Sequence, residues 1–157
     1  MPSGLRERKK QQTRQEISDI ATAMFAQHGF EAVTIAQVAE AAGVSKMTVT
    51  NYFARKEDLV YDRFEEIVRG LARAARDRAP GESLLTAVRR DYAGAVTRRD
   101  VTIGIASPAF PAMVEASPVL KARIREILDQ RETALAAVIT AEAGTPDLFA
   151  TSEISIG

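Results

Sequence analysis

Two helix-start signals with a glycine between them, Thr34 and Ser45 on either side of Gly43, constrain this chain more than any other feature of its sequence. Thr34-Ile35-Ala36-Gln37 has the form of a capping box, in which the threonine hydroxyl and the glutamine side chain satisfy backbone groups that a first helical turn leaves open. The pattern predicts a helix from Ile35 to about Ala42, with Ile35, Val38 and Ala39 inward. Gly43 suits a positive-φ turn, Val44 a core plug, and Ser45 the cap of a third helix, Lys46 to Phe53. On that helix Val49 and Phe53 share a buried face at i, i+4, which turns Lys46, Met47, Thr48, Thr50 and Asn51 outward. Two short helices joined by a three-residue glycine turn form a helix-turn-helix.

The remaining periodicity is helical throughout, and the expected fold class is all-α. From Arg8 to His28, Ile17, Ile20, Ala21, Met24 and Phe25 recur at spacings of three and four, and Gly29 supplies the stop. A long fourth helix is expected from Glu57 to Arg78 on the stripe running from Leu59 to Ala75, ended by Ala79-Pro80-Gly81. A fifth covers Ser83 to about Thr97, with Leu84, Leu85, Val88, Tyr92 and Ala95 or Val96 inward. Ser107-Pro108 and Ser117-Pro118 each place a capping serine before a proline at the first helical position. Val119 to Ala143 then form a long helix stopped at Gly144, and Thr145-Pro146-Asp147 opens another. The expected division is an N-terminal arm and helix-turn-helix domain over residues 1–55 and a helical ligand-binding and dimerisation domain over residues 56–157.

Composition narrows the function classes. The 157 residues contain no cysteine and one histidine, which removes disulfides, thiolate metal sites and cysteine nucleophiles and leaves His28 without companions. No nucleophile elbow or phosphate-cradling glycine loop is present, so an enzyme is not expected, nor a metal or cofactor. Charged residues interrupt every apolar run, so no membrane span is expected; nor is a signal peptide, and the expected location is the cytoplasm. Net charge is zero, with 21 Lys and Arg against 21 Asp and Glu. The distribution is uneven: Arg6, Arg8, Lys9, Lys10 and Arg14 crowd the start against Glu7, while Glu57, Asp58, Asp62, Glu65 and Glu66 follow later.

Residues Thr34 to Leu59 and the preceding Phe25-Ala26-Gln27-His28-Gly29-Phe30 resemble the DNA-binding signature of TetR-family regulators. The matching features are Thr34-Ile35, Ala39, Ala42-Gly43-Val44-Ser45, the Tyr52-Phe53 pair and Lys56-Glu57-Asp58-Leu59. The resemblance implies a ligand-responsive repressor: a homodimer placing one recognition helix per subunit in successive major grooves of a pseudo-palindromic double-stranded operator, released by an unknown small-molecule inducer bound in the C-terminal domain. It also implies two closing helices that would make the dimer interface and that the sequence does not supply, which favours a truncated chain. Thr50 departs from a common tyrosine and Met47 from a small residue.

On this reading Thr34, Ser45, Lys46, Met47, Thr48, Thr50, Asn51, Tyr52 and Lys56 are the DNA-binding candidates. Asparagine can bond an adenine edge bidentately, threonine offers a hydroxyl and a methyl, lysine suits guanine or phosphate, and Met47 suits a thymine methyl. Thr34, Tyr52 and Lys56 sit where phosphates would pass, although each has a plain alternative as cap, packing residue or solvated charge. Arg6, Arg8, Lys9, Lys10 and Arg14 would form an arm adding salt-sensitive, sequence-blind affinity. Phe64, Tyr92, Phe110 and Met113 are the pocket candidates, and they suit an ordinary core equally well. A ligand-free DNA-binding protein whose second half only dimerises stays open beside this reading.

Overall fold

The computed structural model describes residues 2–100 and 109–144, all of whose regular structure is helical. The elements are α1 (Pro2–His28), α2 (Ile35–Ala41), α3 (Lys46–Tyr52), a 3-10 turn (Lys56–Leu59), α4 (Phe64–Arg76), α5 (Leu84–Thr97), α6 (Ala109–Ala116) and α7 (Pro118–Ala143). The helix start expected at Ser107-Pro108 and the one at Thr145-Pro146 lie outside the described residues.

The caps act as their sequences predict. Thr34 Oγ1 accepts from the Gln37 backbone N–H at 3.2 Å while the Thr34 N–H donates to Gln37 Oε1 at 2.8 Å. Ser45 accepts from the Thr48 N–H at 3.0 Å, and Gly43 takes φ 66° in the turn between. Each cap satisfies an orphan donor at a helix end and contributes about 1 kcal/mol. At the start of α7, Ser117 accepts from the Leu120 N–H, donates to Glu31 at 2.7 Å and is buried, so it pins that helix to the loop before α2.

One apolar cluster runs through the molecule. Ile17, Ala21 and Phe25 of α1, Val38 and Ala39 of α2, and Val49 and Phe53 at α3 form its head end. Leu59, Val60 and Tyr61 continue it to Leu120 and Ile127 of α7. α4 and α7 lie side by side and run in the same direction: the Tyr61 hydroxyl donates to the Leu120 carbonyl at 3.1 Å near one end, and Arg78 pairs with Glu142 at 2.6 Å at the other.

Two expectations are corrected. The fourth helix does not run unbroken from Glu57 to Arg78; a 3-10 turn is followed by a bend, and α4 begins at Phe64. Asp58, Leu59, Val60 and Tyr61 are all buried, and four successive residues on an α-helix would span its whole circumference. Breaking the helix lets all four face protein where head and body meet. In α5, Leu85 is 77% exposed, Tyr92 55% and Val96 42%, whereas Ala87 and Ala95 are buried. The small alanines allow α5 a close approach, and Leu85 and Tyr92 face an open cavity rather than a packed core.

Burial pushes the Tyr61 hydroxyl up to about 12. The neutral phenol is thus favoured in the folded chain over the unfolded one, whose tyrosines ionise near pH 10. That contribution is fully present below about pH 10 and is lost as pH rises through about 12. Urea midpoints measured from pH 9 to pH 12 should therefore fall more steeply for the native sequence than for Tyr61→Phe. Parallel slopes would mean the hydroxyl is solvated.

Candidate nucleic-acid interface

α3 presents an outward face held rigidly from behind. Val49 is fully buried and Phe53, its C-cap, is 1% exposed, which fixes the helix axis and its rotation. Lys46, Met47, Thr50 and Asn51 are exposed, Met47 to 72%, and Thr48 is half-buried. The two threonine hydroxyls are already engaged locally: Thr48 Oγ1 lies 2.8 Å from Ser45 Oγ, and Thr50 Oγ1 donates to the Met47 carbonyl at 3.0 Å. Each keeps lone pairs to accept with. Among the described residues the side chains of Asn51 and Lys46 make no hydrogen bond and so offer donors on this face, which also carries the exposed Met47.

α1 carries the basic run. Its C-terminal half packs into the head through Ile17, Ala21 and Phe25, while residues 4–12 are exposed along their whole circumference. The arm expected from sequence is therefore a helical extension. Arg6, Arg8, Lys9 and Lys10 lie on it, and none of them forms an ion pair among the described residues. Arg14 is half-buried, with its guanidinium 4.9 Å from the centre of the Phe53 ring, which ties the basic run to the end of α3. At 1.5 Å per residue Arg6 lies about 12 Å further out. The cationic helix thus leads away from the C-terminal end of α3.

The other candidates are placed differently. Thr34 is exposed at the start of α2, its hydroxyl serving the capping box. Tyr52 packs against the core cluster with part of its side chain in solvent. Lys56 turns inward: its Nζ donates to the Phe30 carbonyl at 2.5 Å and lies 4.2 Å from the Phe30 ring centre. Burial holds this ammonium below the ordinary lysine range, against the pull of Glu31 and Glu57. In the structure Lys56 braces the loop between α1 and α2, a role that its position in sequence did not suggest. Among the described residues no group of acidic or histidine side chains could hold a metal ion, and no helix is long and apolar enough to cross a membrane. His28 is exposed in the last turn of α1.

Sequence reasoning missed the charges that fasten head to body. Arg123 of α7 is buried against Asp58, with Nε at 2.9 Å and Nη2 at 2.8 Å from Oδ1, and its guanidinium stacks on Phe64 at 4.8 Å. Arg123 Nη1 also donates to Glu126 at 3.0 Å, and Glu126 accepts from Arg55, just past α3, at 2.9 Å. Hydrogen bonds from Arg123 and Arg55 hold the Glu126 carboxyl below the usual range.

Behind the head lies a cavity of about 1360 Å³ bounded by α1, the bend before α4, and α4 to α7. Tyr92, Phe110 and Met113 line it. Phe64 does not, because its ring packs on the core cluster beneath Arg123. α1 is shared: Ile17, Ala21 and Phe25 point into the head core, while Gln15, Asp19 and Thr22 form cavity wall.

Comparison with known proteins bears on this arrangement. The sequence profile described as "Bacterial regulatory proteins, tetR family" matches residues 17–62, from the buried half of α1 to the bend before α4. The chain is 31% identical over 146 residues to the HTH-type transcriptional regulator TcmR of Streptomyces glaucescens, an alignment covering 90% of this chain and 65% of that regulator. It is 39% identical over 57 residues to the HTH-type transcriptional repressor KstR2 of Rhodococcus jostii and 37% to that of Mycobacterium tuberculosis, each alignment covering 36% of this chain and 26% of the repressor. The chain thus spans just under two thirds of TcmR and about a quarter of the KstR2 repressors.

Proposed function

We propose that this chain, whose residues 17–62 match the profile of the tetR family of bacterial regulatory proteins, is a sequence-specific DNA-binding regulator of that family without enzymatic activity, acting as a homodimeric repressor that a small molecule releases. The observation that carries the reading is the exposed face of α3, with Lys46, Met47, Thr50 and Asn51 on a doubly capped helix, together with the basic run of α1, which forms no ion pair among the described residues. A rigid helix with short polar side chains suits major-groove edges, and the cationic rod suits phosphates that carry no sequence information. In this reading Asn51 and Lys46 read bases, Met47 and the methyl of Thr50 meet thymine methyls, and Arg6, Arg8, Lys9 and Lys10 set the salt dependence.

Ligand response follows from the shared helix. A molecule that fills the cavity contacts α1 on the face opposite Ile17, Ala21 and Phe25, which share the head core with Val49 and Phe53, so a shift of α1 would pass to α3 through that core. Such a ligand lowers operator affinity only by its preference for the DNA-incompetent arrangement, commonly about 1 to 3 kcal/mol. In a symmetric dimer the two recognition helices would have to match grooves about 34 Å apart.

Selection from a random duplex library with the purified chain tests the DNA reading. An enriched inverted repeat, with half-sites centred about 10 base pairs apart, is the expected result. Recovery of duplexes with no shared motif would overturn it.

A further inference from the structure

The cavity is charged asymmetrically along its length. At the end nearest the head, Arg63 pairs with Glu66 and with Asp100, and Asp62 and Arg98 line the wall beside them, so the cations of this end are matched by carboxylates. α4 and α7 both run away from that end. Arg73 lies about 10 Å beyond Glu66 along α4, and Arg131 about 16 Å beyond Leu120 along α7, at 1.5 Å per residue. α5 runs back the other way, with Asp100 just past its C-terminus at Arg63, so Arg89 lies towards the far end and Asp91 between. Arg73, Arg89 and Arg131 all line the cavity, and none of them forms an ion pair among the described residues.

Two features single out Arg131. Its Nε is buried and has no hydrogen-bond partner among the described residues, and leaving a buried donor unsatisfied is unfavourable unless something else accepts from the group. Gly70 of α4 also lines this cavity, and a Cβ built on it would meet no atom within 4 Å. A mid-helix glycine is unfavourable relative to alanine, and no neighbouring side chain occupies the space that it leaves. An unpaired cation and an unfilled recess therefore share one apolar chamber with Leu71, Phe110 and Met113.

From this we infer that the cavity takes an elongated, largely apolar molecule with one anionic end, its anion held by Arg131 and its apolar body lying along Gly70 towards Phe110 and Met113. The inference rests on the proposal that this cavity is the ligand site. It adds the polarity and direction of the ligand, since a carboxylate, phenolate or sulfonate would satisfy the guanidinium and complete the charge balance of the far end. A neutral molecule of the same shape would leave both as they are.

The test uses two probes that differ only in the anion, anilinonaphthalene sulfonate and N-phenylnaphthylamine, titrated by fluorescence into the intact chain, with circular dichroism to check that each variant is folded. The sulfonate should bind at least tenfold more tightly than the neutral probe and compete with it. Arg131→Gln should abolish that preference and leave the neutral probe within about twofold, Arg131→Lys should restore part of it, and Gly70→Leu should weaken both. Equal affinities in the native chain overturn the inference without recourse to any variant, and so does an undiminished sulfonate preference in folded Arg131→Gln. If the sulfonate shows the expected preference yet does not change duplex affinity at saturation, the anion site stands and the proposed ligand response fails. If the two probes bind with equal affinity and both lower duplex affinity, the response stands and the anion site fails.

Discussion

Asp58→Ala should destabilise the folded chain by about 3 kcal/mol, more than removing any single surface charge would. Asp58 and Arg123 are 9% and 8% exposed at their side chains, and both contacting nitrogens of Arg123 lie within 3 Å of the same carboxylate oxygen. Deleting the carboxylate leaves a guanidinium buried beneath α4 with Glu126 as its remaining partner, and an uncompensated buried charge typically costs about 3 to 5 kcal/mol. The remaining partner places the expectation at the lower end. Replacing both residues with apolar ones, Asp58→Leu with Arg123→Met, should recover most of the loss, because the pair's attraction largely offsets its own desolvation. Urea unfolding followed by circular dichroism measures all three variants. A loss below 1 kcal/mol for Asp58→Ala would mean that the two groups are hydrated, and that the joint between head and α7 is held by its other contacts, the apolar packing of Leu59 and Leu120 and the bonds of Tyr61, Ser117 and Arg55.

Asn51→Ala should weaken binding to the selected duplex about tenfold to a hundredfold while leaving affinity for unrelated DNA nearly unchanged. The side chain is exposed on α3 and makes no hydrogen bond among the described residues, so removing it should cost little stability. One bidentate contact to a base edge is worth about 1 to 3 kcal/mol of discrimination. The salt dependence should keep its slope, since phosphate contacts set that slope and Asn51 is not assigned one. An equal loss on every duplex would instead place Asn51 against the backbone.

How much of this was legible in the sequence depends on the range of each interaction. Capping acts over three residues, so Thr34 with Gln37 and Ser45 with Thr48 can be read directly, and Ser117 before Pro118 likewise. The buried pair Val49 and Phe53 follows from helical period. Lys56 could not be placed this way: its partner, the Phe30 carbonyl, belongs to a different loop, and a lysine beside a helix-turn-helix suits phosphate equally well on sequence alone. The salt bridge between Asp58 and Arg123 joins the two ends of the core, and nothing near either residue marks it as buried. The stripe from Leu59 to Ala75 is compatible with one continuous helix, and it is the burial of all four residues from Asp58 to Tyr61 that the bend accommodates. In α5 periodicity identified Leu85 and Tyr92 as apolar positions but could not distinguish a core from a cavity wall, since both select the same side chains. Phe64 illustrates the converse, an aromatic residue read as pocket lining that is spent on packing beneath Arg123.

The reading of sequence is assigned to α3. Fluorescence anisotropy of the purified chain against a labelled duplex carrying the selected repeat, and against a scrambled duplex of the same composition, measured from low to moderate salt, tests it most directly. Both affinities should fall steeply with salt, and the repeat should be preferred about a thousandfold or more throughout. Affinities that fall together with no preference for the repeat would contradict it, leaving the cationic helix of α1 as a clamp on any DNA and the face of α3 without a reading role.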